Sequence, residues 1–156
     1  MIPDEEALRR AIALAVENVA RGGGPFGAVV VKDGRIVGEG ANRVTIDNDP
    51  SAHAEIVAIR DACRRLGTFR LDGAIVYASC EPCPMCWSAI QWSRASRLCF
   101  AADQAQAAAA GFDDAVFWRE VTLPMPARAL PARRLLADAA QAPFDAWRAK
   151  TDRTQY

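Results

Sequence analysis

Apolar residues fall at Leu8, Ile12, Val16 and Val19, spaced four, four and three apart, and that period predicts an amphipathic helix over Asp4 to Arg21. Gly22-Gly23-Gly24 marks its end. Two short runs follow, Ala28 to Lys32 and Ile36 to Ala41, flanking Asp33-Gly34, the dipeptide of a tight hairpin, and they predict antiparallel strands. A helix headed by His53 is expected after Asp49-Pro50-Ser51, with Asp49 or Ser51 as candidate N-caps. Ala74 to Ala78 reads as a strand feeding another helix. Pro82 and Pro84 suit the first turn of that helix, where amides lack intrahelical partners, and it is predicted to run through Ser93. Arg97 to Ala101 reads as the next strand. Strands separated by helices imply a parallel stretch of sheet, so the fold class is α/β: a three-layer α/β/α sandwich with a mixed central sheet. Both internal helices would start at the carboxyl edge of that sheet, where such folds place their ligands. Between Pro124 and Pro143 the alanine- and proline-rich stretch predicts a connecting arm with one short element, Ala132 to Leu136.

Composition narrows the class. With 156 residues, 51% of them hydrophobic, the chain can bury a core as one domain, residues 1–156, without a disulfide framework. Five cysteines is an odd number, and the start, Met1-Ile2-Pro3-Asp4-Glu5-Glu6, lacks the charged and apolar regions of a secretion signal, so a reducing cytoplasmic setting is expected. No apolar run has the length to span a membrane. Lys plus Arg and Asp plus Glu are each 19, a net charge of +0 that offers no bulk attraction for a polynucleotide.

The chemistry concentrates in His53-Ala54-Glu55 and Pro82-Cys83-Pro84-Met85-Cys86. A Cys-x-x-Cys pair is also a redox motif or half of a structural zinc site, but Cys63, Cys80 and Cys99 form no second pair. His53 is the sole histidine, and Glu55 taken alone could be a dipole-favoured acid in a first helical turn. Together the four residues supply three zinc ligands, His53, Cys83 and Cys86, and a proton-carrying carboxylate, Glu55. Zinc held by three groups keeps a fourth position for a water that its charge acidifies, and this arrangement is the signature of zinc deaminases. Cys83 and Cys86, three apart, share a helix face near the positive end of the dipole. His53 and Glu55, two apart, diverge on a helix side, so the metal must lie off the helix end.

These motifs, with Pro25-Phe26-Gly27-Ala28-Val29, Asn42, His53-Ala54-Glu55-Ile56 and Ser79 through Cys86, resemble the cytidine deaminase-like superfamily over about the first hundred residues. Ala109-Ala110-Gly111-Phe112-Asp113-Asp114, Pro143-Phe144-Asp145-Ala146-Trp147-Arg148 and the terminal Tyr156 resemble its bacterial guanine deaminases. The tRNA adenosine deaminases of the superfamily carry a Lys-x-Gly-Ala run that is missing between Asp103 and Gly111. The resemblance implies one Zn2+ per subunit and zinc-dependent hydrolysis of guanine to xanthine and ammonia. In it a hydroxide attacks C2, and Glu55 shuttles the protons.

It further implies that Asn42 and the Ala54 backbone align the purine between the aromatic walls Phe26 and Trp92. Asp114 would accept from the edge bearing N1–H and the 2-amino group, with Asp113 beside it as the alternative. A homodimer is implied in which residues 131–156 exchange and Tyr156 closes the neighbour's site. Plainer roles stay open: Asn42 as a turn residue, Trp92 and Phe26 as packing, Tyr156 as a loose end. The other readings are a tRNA adenosine deaminase, a deaminase of guanosine, cytosine, a pterin or an aminotriazine, and a zinc protein without catalysis. A small purine base is the expected partner, with no membrane and no nucleic acid.

Overall fold

The computed structural model describes residues 1–156. In chain order the elements are α1 (Asp4–Ala20), β1 (Gly27–Lys32), β2 (Arg35–Ala41), the single-turn α2 (Val44–Asp47), α3 (Ala54–Leu66), β3 (Ile75–Cys80) and α4 (Pro84–Trp92). Then come β4 (Arg97–Ala102), α5 (Gln104–Ala109), α6 (Ala115–Thr122) and α7 (Ala142–Ala149), with 3-10 turns at Met125–Ala127 and Ala139–Gln141. Asp33 and Gly34 both take positive φ, 50° and 71°, as the tight hairpin between β1 and β2 requires.

The sheet has the order β2-β1-β3-β4. β1 runs antiparallel to β2 and β3, while β3 and β4 are parallel, so the expected mixed sheet is present. Alternation along the strands sorts side chains to two faces. Ala28, Val30 and Val76 pack with Ala54, Ala58 and Ala62 of α3 and Ile90 of α4. Val29, Val31 and Tyr77 pack on the other face with Ala7 of α1. Helices thus cover both faces, giving the three layers.

The opening helix buries a different face from the one its apolar spacing predicts. Ala7, Ala11, Ala15 and Asn18 are buried, while Ile12, Val16 and Val19 are exposed, Val16 by 67%. Close approach decides this: a Cβ added to Gly27 would lie 2.2 Å from the Ala11 carbonyl oxygen, so strand and helix backbones touch where only small side chains fit. The same device seats α3, since a Cβ on Gly40 would lie 2.3 Å from the Ala54 carbonyl oxygen. α1 is tied to β2 by a bidentate pair in which Arg10 Nε and Nη2 donate to Glu39 at 2.7 and 2.9 Å.

Register sets where the chemistry sits. Gly27 faces Ala41, Ala28 faces Ala78, and Cys80 faces Ala102. The start of β1 and the ends of β2, β3 and β4 therefore share one sheet edge. Phe26, Asn42, the Cys83 loop and Gln104 all leave from that edge. Gly27 N donates to Ser79 Oγ at 3.0 Å there, locking β1 to β3.

Beyond α5 the chain buries nothing of its own. α6 and α7 hold no buried residue, and Val116, Phe117, Val121, Phe144 and Trp147 are exposed. The short element expected at Ala132 to Leu136 is absent: it follows Pro131, and Leu136 takes a left-handed φ of 54°. Five residues cannot repay the cost of nucleating a helix without packing. Single turns at Met125–Ala127 and Ala139–Gln141 stand on either side instead. No helix is long and apolar enough to cross a membrane.

Candidate active site

His53 and Cys83 occupy the same structural position in two different helices. Each is the N-cap residue, with extended backbone (φ −67°, ψ 155° and φ −67°, ψ 169°), of α3 and α4 respectively. Asp49 and Ser51 are therefore not the caps of α3. Asp49 Oδ1 accepts from Ser51 N at 2.8 Å and Ser51 Oγ at 2.7 Å, closing a turn that delivers His53 to the helix mouth. Pro84 takes the first position of α4, which starts the helix immediately after Cys83 and brings Cys86 onto its first turn.

The three side chains converge in front of both helix ends. Cys83 Sγ and Cys86 Sγ each lie 3.5 Å from His53 Nδ1, and the three ligand atoms lie within 4.8 Å of one another. A tetrahedral zinc, with Zn–N near 2.0 Å and Zn–S near 2.3 Å, puts nitrogen and sulfur about 3.5 Å apart, so the cluster matches that ion. One imidazole and two sulfurs are also the donor types zinc prefers, and three ligands leave its fourth position open.

Electrostatics point the same way. A hydrogen bond from Cys86, opposed by burial and aided by His53, draws the Cys83 thiol down to about 4. The same bond to Cys83, with burial and the charge of Glu55, pushes the Cys86 thiol up. A second thiolate beside the first is costly without a cation. His53 is raised, chiefly by its bond to Cys83. A dication offsets that cost and satisfies both sulfurs.

Glu55, in the first turn of α3, is only 8% exposed, and its carboxylate lies against the Cys86 thiol. Burial pushes its carboxyl above the ordinary range. A carboxyl so placed can take and return a proton.

Around this centre Ala54, buried, opens α3, and Asn42 is buried at the end of β2. Asn42 N donates to the Phe26 carbonyl oxygen at 3.0 Å, and Asn42 Oδ1 accepts from Val44 N at 3.2 Å, leaving Nδ2 free. Phe26 meets Phe112 edge-on, with ring centroids 4.9 Å apart. The two neighbouring aspartates differ in use. Asp113 Oδ1 accepts from Ala115 N at 3.0 Å at the start of α6, whereas Asp114 Oδ1 accepts from Gln104 Nε2 at 2.7 Å.

Trp92 and Tyr156 line a cleft that contains none of the metal ligands. Trp92 ends α4, nine residues past Cys83 and thus about 13 Å along the helix axis, and it is 62% exposed. It meets Tyr156 with ring centroids 6.1 Å apart in a cleft of about 670 Å³ lined also by Ile59, Phe69 and Thr154.

Sequence reasoning overlooked two groups at this edge. Asn18 Nδ2 donates to the Gly24 and Asn42 carbonyl oxygens at 2.8 and 2.7 Å, holding the Phe26 and Asn42 loops together. A polar residue at the end of the small buried face of α1 was its signal. Gln104 stands in the first turn of α5, announced by the Asp103 and Gln106 capping box.

Residues 1–102 match the family model of the cytidine and deoxycytidylate deaminase zinc-binding region. A guanine deaminase of Bacillus subtilis (strain 168) is 49% identical over 153 residues, 97% of this chain and 98% of that protein. The X-ray structure of guanine deaminase from Bacillus subtilis aligns with a TM-score of 0.96 at 48% identity, covering 99% of each chain. A tRNA-specific adenosine deaminase of Haemophilus influenzae is 43% identical over 117 residues, 71% of this chain and 68% of that protein.

Proposed function

The chain belongs to the cytidine and deoxycytidylate deaminase zinc-binding family, and from that membership we propose that it hydrolyses guanine to xanthine and ammonia. It is a zinc-dependent aminohydrolase. The observation that carries the reaction class is the buried Glu55 carboxylate beside three convergent zinc ligands. The choice of guanine follows the likeness that extends over 97% of the chain, where the likeness to the tRNA-specific enzyme covers 71%.

His53 Nδ1, Cys83 Sγ and Cys86 Sγ would hold the ion. When bound, zinc supplies a Lewis acid that makes a water acidic near neutral pH. Glu55 takes one proton from the attacking water and delivers it to N3 of the ring, then takes the second from the new C2 hydroxyl and delivers it to the departing amine, so C2 becomes a carbonyl and ammonia leaves. One carboxylate suffices for both duties, because the proton gained in the first step is the one needed in the next.

Asn42, with Nδ2 free, donates to the purine, the Ala54 backbone aligns its edge, and Phe26 forms one wall. Asp114 accepts from N1–H and the 2-amino group. Its neighbour Asp113 is already used by the backbone of α6, which favours Asp114 for this role.

The pairing of Trp92 with Tyr156, in a cleft that contains none of the metal ligands, is accounted for if the chain is a homodimer that presents this pair to a second copy's site. The unburied apolar faces of α6 and α7 support an exchanged arm over residues 131–156, because a solitary chain would leave them in water. Deletion of residues 151–156 is expected to lower kcat/KM about tenfold or more through loss of the cover over the base. Unchanged kcat/KM in the truncated protein removes the lid. A reducing cytoplasm suits the two ligand thiols, and purine breakdown or salvage suits the reaction.

The experiment is ammonia release from the holoenzyme with guanine, guanosine, adenine, cytosine and a tRNA anticodon stem. Guanine is expected to lead. Faster release from the tRNA stem would transfer the assignment to nucleic-acid deamination.

A further inference from the structure

We infer that Gln104 is a positioning residue that aims the Asp114 carboxylate at the base and ties its orientation to the loop carrying the metal thiolates. The inference rests on the reading of Asp114 as the acceptor for the guanine edge.

Gln104 makes two contacts at once. Its side-chain Nε2 donates to Asp114 Oδ1 at 2.7 Å, and its backbone N–H donates to Glu81 Oε2 at 3.1 Å. Glu81 lies two residues before Cys83, and its own N–H donates to the Ala102 carbonyl oxygen at 2.8 Å. A continuous path therefore runs from the cysteine loop through Glu81 and Gln104 to Asp114. Asp114 stands on the site side of that path: Phe112, two residues before it, meets Phe26 edge-on with ring centroids 4.9 Å apart.

Asp114 begins α6 yet makes no side-chain cap bond to that helix. A carboxylate without a partner rotates about its side-chain torsions and presents either oxygen in many directions. Donation by the Gln104 amide occupies Oδ1 and leaves Oδ2 without a hydrogen bond. That bond is charge-assisted. An acceptor-only group suits an edge with two donors and rejects a base that offers an acceptor there, because the buried polar groups are then left unpaired. Gln104 does not touch the base. It acts through Asp114.

The test is a double-mutant cycle on the zinc-loaded enzyme, with Gln104→Met, which keeps length but cannot donate, and Asp114→Ala. Gln104→Met is expected to raise KM for guanine about tenfold, with kcat within about threefold and zinc content unchanged. In the Asp114→Ala background the same change should add less than about twofold, because the group it orients is gone. Gln104→Glu, which keeps the shape and puts a like charge beside Asp114, should raise KM further and serves if the methionine variant does not fold.

Multiplying rather than saturating effects, the mark of an independent structural role, would overturn the inference, as would an unchanged KM in both Gln104 variants. If Asp114→Ala itself leaves KM for guanine unchanged, the reading of Asp114 fails and this inference falls with it. If Asp114→Ala raises KM while the Gln104 variants do not, only the inference about Gln104 fails.

Discussion

Glu55→Gln is expected to keep zinc bound at one per chain and to lower kcat for guanine by about 10³- to 10⁴-fold. Glutamine matches glutamate in volume, so the buried pocket against Cys86 stays filled. The ligand set His53, Cys83 and Cys86 is untouched, so metal affinity should hold. What disappears is a group that binds a proton in one step and yields it in the next. Burial already raises the Glu55 carboxyl, so folding carries the cost of desolvating its charge, and a neutral amide there should not lower the melting temperature. Steady-state ammonia release, elemental analysis and thermal melting separate these terms. A near-normal rate with zinc retained rules out the shuttle, and loss of zinc places Glu55 among the structural supports of the ion.

The four chemical residues were legible in the sequence because their chemistry forces close spacing. His53 and Glu55 had to straddle the start of one helix, and Cys83 and Cys86 had to share the first turn of another, with Pro84 marking the boundary. The strands were legible from apolar runs bounded by turns, and the observed limits of β1, β2, β3 and β4 fall within two residues of the expected ones. The facing of α1 was not. Periodicity ranks Leu, Ile and Val above Ala, but the contact with β1 is set by backbone approach at Gly27, which admits only Ala7, Ala11 and Ala15. Propensity and spacing hold no information on that distance.

The surroundings of Trp92 were not legible either. Trp92 lies six residues beyond Cys86 on one helix, about 9 Å along the axis, and pairs with Tyr156 in a cleft lined by none of the metal ligands. Gln104 and Asn18 were missed because amides act here through geometry alone. Their neighbours in sequence are unremarkable, and only the fold brings Gln104 to Asp114 and Asn18 to the Asn42 carbonyl.

Removal of the metal is expected to abolish turnover completely and to lower the melting temperature of the chain. Two sulfurs and an imidazole crowd together within 4.8 Å, and without a cation the pair can hold only one thiolate comfortably. Zinc relieves that crowding in the folded state and finds no such site in the unfolded chain, so its binding free energy adds to folding. Chelation should therefore give an inactive protein that melts earlier, and one equivalent of zinc should restore both properties. Cys86→Ser exchanges a buried sulfur for a poorer ligand and should cost more zinc affinity than any change at Glu55. Zinc retention should also weaken as pH falls, because both thiols and the imidazole must give up their protons to bind. Apart from Glu55→Gln, this is the largest effect expected, and it separates a catalytic ion from a merely structural one. In a structural site Glu55→Gln leaves whatever activity exists, while chelation only unfolds the chain. In the catalytic site each manipulation alone ends turnover, but only chelation shifts the melting curve downward. Guanine turnover by metal-free protein would overturn the aminohydrolase assignment, whatever the melting curve showed.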